Sequence, residues 1–432
     1  MLTSERRKAI SNLIKREVVP AIGCTEPIAV SLAVAKATEI LGSIPEYLKV
    51  GLSGNILKNA MGVGIPGTGM IGLPIAIALG ATKGKADYGL EVLRDVDDKA
   101  VFDGKCYMKE HDIEIYHIAD APSNLYIDVK VYDKRGHNAH VVIAEEHTKY
   151  LLLEKDGKVI FNQQGNKDAK SNDAGQEIKL DLATVWEFAV ESPIEELLFI
   201  DEAMAINESA ANFSFAKGDV GHRVGSTIKE NLDVHFGNST LAKMLACTSA
   251  ACDARMSGEK IAVMSNSGSG NQGIAITLPV VCYAKENGKS SEMTTRALIM
   301  AHLTSIYIKQ LMGRLSALCG CVVASTGVSM ALVYLMGGSF LQASYSVKNM
   351  IATLTGMICD GAKPACSLKI ASGINTAYLS ALMAINDHSV TENEGIVTLS
   401  VDDTIKNFAF IGREAMLETD SVVLRMMSEN KH

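Results

Sequence analysis

The sequence predicts an α+β fold, in which a mostly helical domain built from both chain ends carries a smaller, strand-rich α/β domain as an insertion. Three observations predict it. Apolar residues recur at helical spacing near the N-terminus. Strand-like alternation takes over between about Tyr107 and Val190. From Ile194 onward nearly every segment again reads as helix, separated by short polar breaks. The expected boundaries are 1–85 and 195–432 for the helical domain and 86–194 for the insertion, and 432 residues leave room for both.

Each element follows from local chemistry. Residues 3–19 place Ile10, Leu13, Ile14 and Val18 on one helical face, and Pro20 ends it. Pro27 suits the first turn of a second helix over 28–41, after the loop Gly23-Cys24-Thr25-Glu26. A short strand is expected at 47–52. The uncharged run 59–82 is broken by Pro66, Gly67, Gly69, Gly72 and Pro74 into a loop and a short helix. Strands are expected at 113–118, 125–132, 139–143 and 150–154, with hairpin turns at 135–138 and Asp156-Gly157. Helical patterns at 87–98 and 180–190 flank them. Further helices are expected at 194–213, 240–254, 294–311, 327–335, 347–357 and 373–385.

Composition excludes several function classes. The formal charge of −8, without a basic run, argues against nucleic acid or an anionic membrane as partner. The first residues lack an apolar stretch after their charges, so they do not read as a signal peptide. Nine cysteines without an export signal read as reduced thiols in the cytoplasm. Residues 315–347 carry no charge and are long enough to span a bilayer. Their Gly, Ala, Ser and Cys content, the break at Gly337-Gly338 and one cation at each end (Arg314, Lys348) favour a buried helix instead.

Four motifs carry chemistry. Cys319, Cys359 and Cys366 sit beside apolar helical runs, in Leu318-Cys319-Gly320-Cys321 and Cys359-Asp360-Gly361-Ala362-Lys363-Pro364-Ala365-Cys366. Three thiolates are one short of the four that hold a cubic iron–sulfur cluster, which would leave one iron open to substrate. A lone cysteine is ordinarily core, zinc uses the same donors, and Cys321 competes with Cys319 for the first ligand place. Cys247 and Cys252, with Cys106 and Cys282, read as structural. In the second motif, Cys24 precedes a helix, where the dipole favours a thiolate able to act as base; the alternative is a capping loop with Thr25 as cap. The third, Met264-Ser265-Asn266-Ser267-Gly268-Ser269-Gly270-Asn271-Gln272-Gly273, offers backbone N–H groups and Asn and Gln side chains to an anion. It lacks the lysine of a nucleotide loop, so a carboxylate is the expected guest. The fourth is the glycine-rich 52–69, where Ser53, Asn55 and Asn59 could contact a ligand or merely pack. Lys309, Arg314 and Lys363 lie close by in sequence, as cations for a cluster or a carboxylate, although Lys309 reads rather as a solvated helix end.

With these residues in view, the chain resembles the L-cysteine desulfidase family, relatives of the α-chain of bacterial iron–sulfur L-serine dehydratases. The resemblance spans the chain. It is most specific in Gly23-Cys24-Thr25-Glu26-Pro27, the 264–273 loop, Gly313-Arg314-Leu315-Ser316-Ala317-Leu318-Cys319-Gly320-Cys321 and the 357–366 segment. It implies a [4Fe–4S] cluster on Cys319, Cys359 and Cys366, with Cys24 as the catalytic proton acceptor in the helical domain. The implied reaction is β-elimination: L-cysteine and water give pyruvate, ammonia and hydrogen sulfide. Thr25, Glu26, Ser53, Asn55, Asn59, Ser265, Asn266, Ser269, Asn271 and Arg314 are then the expected substrate-binding residues. L-Serine or L-threonine dehydration would use the same site. From another class, a non-catalytic iron or oxidant sensor would use the same cysteines. No lysine context suggests pyridoxal phosphate. The expected partner is a small amino acid, with no nucleic acid and no membrane, and the apolar content is compatible with a homodimer.

Overall fold

The computed structural model describes residues 2–163 and 178–429. Its first half runs α1 (Ser4–Glu17), β1 (Pro20–Ile22), α2 (Thr25–Leu41), β2 (Tyr47–Leu52), α3 (Gly54–Ala60), α4 (Leu73–Thr82), α5 (Asp98–Glu110), β3 (Asp112–His117), β4 (Tyr126–Tyr132), β5 (Asn138–Ala144), β6 (Tyr150–Lys155) and β7 (Lys158–Asn162). The second runs α6 (Leu182–Glu191), α7 (Glu202–Lys217), α8 (Val224–Glu230), α9 (Thr240–Met256), β8 (Ala262–Met264), α10 (Gly270–Glu286), α11 (Ser291–Met312), α12 (Gly320–Leu335), α13 (Phe340–Leu354), α14 (Cys366–Ile385), α15 (Val401–Phe410) and α16 (Leu417–Glu429). The α+β class is as the patterning predicts.

Two large cores hold the molecule. In the first, α11 and α12 are buried nearly all round, with α6, α9, α10, α13, α14 and α15 about them. The charge-free stretch is thus an interior hairpin, and Gly337, at φ 87°, lies between α12 and α13. The second core lies between one face of a six-stranded sheet and the helices α2, α4 and α5. Sheet order is β3-β2-β4-β5-β6-β7, antiparallel except for the parallel β2–β3 pair. Burial alternates along β4, the signature of a strand with one face on a core.

The second core draws on residues both before and after position 85. The sheet already takes β2 from residues 47–52, between β3 and β4, and the second core extends from Ile28 to Ile143. A parallel β2–β3 pairing needs a long crossover, here α3, α4 and α5, so it leaves no local mark in the sequence. Conversely, α6 buries Leu182, Val185, Phe188 and Ala189 in the helical core. The expected helix at 87–98 is instead a short 3₁₀ turn interrupted at Gly89. The true helix is α5, capped by the Asp97 side chain on the Ala100 N–H. Asp156 and Gly157, both at positive φ, make the expected tight turn, and it leads into β7, an exposed edge strand that the sequence reading lacked.

Candidate active site

A two-stranded antiparallel sheet joins the two loops that matter most. β1 pairs with β8 in the register Pro20↔Met264 to Ile22↔Ala262. The Ser265 N–H then donates to the Val19 carbonyl and the Ser267 N–H to the Glu17 carbonyl. The Cys24 loop and the 265–273 loop are thereby fixed side by side. Gly273 must be glycine: a Cβ there would sit 1.9 Å from the Met264 carbonyl oxygen. Ser269 caps α10 by accepting from the Gln272 N–H.

The cysteine segments meet through backbone pairing. The Cys319 N–H donates to the Met357 carbonyl at 3.0 Å and the Cys359 N–H to the Ala317 carbonyl at 2.6 Å. Cys319 is the N-cap of α12, and Cys366 opens α14. Helix N-termini thus point at this region, an arrangement that favours anionic groups.

One cavity collects these parts. Cys24, Thr25, Glu26, Asn59, Ser269, Asn271 and Arg314 line it together with Cys319, Cys359 and Cys366. Four expected contacts, Ser53, Asn55, Ser265 and Asn266, do not line it, for structural reasons. The Ser53 hydroxyl donates to the Asn124 carbonyl and accepts from the Tyr126 N–H, tying α3 to the sheet, and Ser53 and Asn55 line a different cavity. Ser265 donates to the Val19 carbonyl at 2.6 Å. The Asn266 amide binds the buried His302, whose ring burial pushes down to about 3, so this pair is a neutral brace for the loop.

Glu26 is the electrostatic centre. Its carboxylate accepts from the Cys24 thiol at 3.0 Å, the Thr25 hydroxyl at 3.1 Å and the Asn59 amide at 3.1 Å. Burial opposes its ionisation, yet His147, the Cys24 thiol, its own backbone N–H and Arg255 hold it below the ordinary carboxylate value. Burial, followed by the Glu26 charge, pushes Cys24 well above a free thiol. The expected helix-dipole thiolate is therefore corrected to a neutral thiol bonded to a carboxylate. Cys24 itself occupies the cap position, and Thr25 turns to Glu26 rather than capping.

Arg255, Gln272 and His147 escaped the sequence reading, and Lys309 was underweighted in it. Arg255 is 2% exposed, donates to the Asn271 side-chain oxygen at 2.9 Å, leaves its Nε without a partner and has no ion pair among the described residues. Gln272 and Asn59 each present a buried side-chain oxygen without a donor. Lys309 is buried, donates to the Arg314 carbonyl, and is pushed down to about 8 by that burial. His147, delivered by the β5–β6 loop, is buried against Gly268. Arg255 lies in α9 amid apolar neighbours, and no spacing rule singles it out.

The donor set fits an iron–sulfur group in kind. Cys319, Cys359 and Cys366 are free thiols on one cavity, which Cys321 lines as well. Lys58 and Lys369 donate to the carbonyls of Cys359 and Ile358, bringing positive charge to the loop. Among the described residues no three His, Cys, Asp or Glu side chains are already arranged to hold a single metal ion. Cys321 turns to the Met357 sulfur at 3.3 Å and the Lys369 carbonyl at 3.6 Å.

The serine dehydratase alpha chain profile matches residues 88–425. A UPF0597 protein of Bacteroides fragilis is 54% identical over 428 residues, covering 99% of each chain. Those of Bacteroides thetaiotaomicron and Porphyromonas gingivalis are 52% and 47% identical, covering 99% and 100% of each chain. The chain belongs to the serine dehydratase alpha chain family.

Proposed function

We propose that this protein is an amino-acid lyase of the dehydratase type, and that it eliminates hydrogen sulfide from L-cysteine to give pyruvate and ammonia. The family description supports the lyase class. The observation that carries the reading is the Cys24–Glu26 pair facing three further cysteines across one cavity. Cys319, Cys359 and Cys366 would hold a [4Fe–4S] cluster. When bound, such a group supplies a Lewis-acidic iron suited to a soft sulfur leaving group.

The protein's own residues handle the rest. Arg255, a buried cation without a carboxylate partner among the described residues, is placed for the substrate carboxylate, with Arg314 beside it. Arg314 is already shared with Glu17 and Glu146, so Arg255 is the stronger anchor. The unpartnered oxygens of Asn59 and Gln272 suit the ammonium. The Cys24–Glu26 pair holds one proton and one negative charge. As the Cys24 sulfur takes the substrate α-proton, its own proton passes to the Glu26 oxygen 3.0 Å away. The aminoacrylate left behind takes up water without further help.

L-Serine is the competing substrate, because the family description names serine and hydroxide can leave where sulfide would. The reading carries with it a cytoplasmic protein without nucleic-acid or membrane partners. The net charge of −8 favours this, and although α14 is long and apolar enough to cross a membrane, it packs on α9, α12 and α13. Exposed Leu368, Leu379, Leu382 and Met383 on α14 suit a second copy of the chain in a homodimer. The test is anaerobic purification, a visible spectrum, and pyruvate and sulfide assays with L-cysteine and L-serine. Sulfide with equimolar pyruvate from L-cysteine supports the desulfidase. Pyruvate from L-serine alone makes it a dehydratase, and neither product overturns the reading.

A further inference from the structure

Two buried side-chain amides line the thiol cavity, and each spends its NH2 on an acceptor. Asn59 gives its Nδ2 to the Glu26 carboxylate at 3.1 Å, which leaves its Oδ1 over. Gln272, 1% exposed, gives its Nε2 to the Asn266 side-chain oxygen at 2.8 Å, which leaves its Oε1 over. That oxygen lies 3.2 Å from where a Cβ on Gly320 would stand, at the start of α12 and one residue from Cys319.

The direction of Gln272 is decided one residue further back. Asn266 is wholly buried, with its Nδ2 3.2 Å from the His302 backbone carbonyl and 3.1 Å from the His302 Nδ1. A carbonyl oxygen only accepts, so the Asn266 NH2 must face it and the Asn266 oxygen must face Gln272. The Ser267 hydroxyl donates to that same oxygen at 2.9 Å. The turn that carries Asn266 is closed by reciprocal backbone bonds with Ser269, around Ser267 and Gly268, both at positive φ. Neither amide can turn over without setting oxygen against oxygen.

We propose that Asn266 is a positioning residue: bonded to the His302 carbonyl, it locks Gln272 as a hydrogen-bond acceptor, and Gln272 then selects a ligand with a protonated amine over the same acid without one. This role presupposes that the cavity is an amino-acid site, whichever group leaves. A ligand without N–H at that place leaves a buried oxygen unpaired, and a site built around such a bond rejects the analogue that lacks it.

The probes are L-alanine, which has no leaving group, and propanoate, the same acid without the amine. Each is titrated calorimetrically into the anaerobically reconstituted full chain. L-Alanine should bind about tenfold or more tightly than propanoate. Gln272→Met keeps the length and removes both amide groups, so it should weaken L-alanine about tenfold and leave propanoate unchanged. Asn266→Leu frees the Gln272 amide to turn over and should shrink the preference likewise. Asn266→Asp should keep it, because a buried carboxyl beside a carbonyl retains its proton and donates as the amide did. A wild type without the preference, or Gln272→Met with the preference intact, overturns the assignment of Gln272. Equal weakening of both ligands in Asn266→Leu, or loss of the preference in Asn266→Asp, overturns the positioning role. Pyruvate and sulfide assays judge the elimination separately: a protein that forms neither product still supports the proposal if L-alanine is preferred and Gln272→Met removes the preference.

Discussion

The Cys24 thiol donates to the Glu26 carboxylate across 3.0 Å, both buried at the first turn of α2. Two residues apart in sequence, they share one proton and one charge, and Thr25 and Asn59 complete the carboxylate's shell. A pair so coupled titrates as a unit. Burial and the Glu26 charge both hold the proton on sulfur.

The first prediction concerns that proton. Cys24 should resist iodoacetamide at neutral pH. Replacing Glu26 by Gln removes the negative charge beside the sulfur, so alkylation at Cys24, read by mass spectrometry, should speed up several-fold. Turnover should nevertheless fall about 10²-fold or more, because the proton relay is gone. Slower alkylation in Glu26→Gln would remove the electrostatic account of the pair.

Stability against acid should depend on the same carboxylate. Its folded value lies below its unfolded one, which is about 4.3. Glu26 therefore contributes stability that is fully present above the unfolded value and lost as pH falls through the folded value. Denaturant midpoints measured from pH 7 down to pH 3 should decline less steeply in Glu26→Gln than in the wild type. Parallel curves would mean that the carboxylate is not held ionised.

Ligand assignment can be tested one cysteine at a time. Ser substitution at Cys319, Cys359 or Cys366 should each lower the iron bound after anaerobic reconstitution. Cys321→Ser should retain it, because the Cys321 sulfur is engaged with Met357 and Lys369. Loss of iron in Cys321→Ser with retention in Cys319→Ser would reverse the assignment. The readout is metal content, so it stands apart from any activity.

Much of this was legible in the sequence because it is local. Helical spacing, the strands of the sheet, and the motifs around Cys24, Ser269 and the three cysteines all leave marks within a dozen residues. Their convergence on one cavity supports the grouping of Cys24 with Asn59, Asn271 and Arg314. What was illegible depends on pairing across long separations. The β2–β3 crossover moved residues 47–52 into the sheet. Ser53 and Ser265 looked like ligand donors because hydroxyls in glycine-rich loops are ambiguous until their acceptors are known, and both bind backbone carbonyls. The dipole argument for Cys24 failed because a neighbouring carboxylate and burial outweigh a helix end worth at most about 2 kcal/mol.

Arg255 provides the sharpest contrast between stability and function. A buried guanidinium costs several kcal/mol to desolvate, and among the described residues no carboxylate forms an ion pair with it, Glu26 acting on it only through longer-range attraction. Such a charge is tolerated where a ligand completes it. Arg255→Met keeps much of the volume and removes the charge, so the empty protein should unfold at an equal or higher denaturant concentration than the wild type. Catalytic efficiency should drop by about 10² to 10³, through KM more than kcat if the carboxylate is bound equally in ground and transition states. A variant that is destabilised yet retains its KM would mean that Arg255 only braces Asn271.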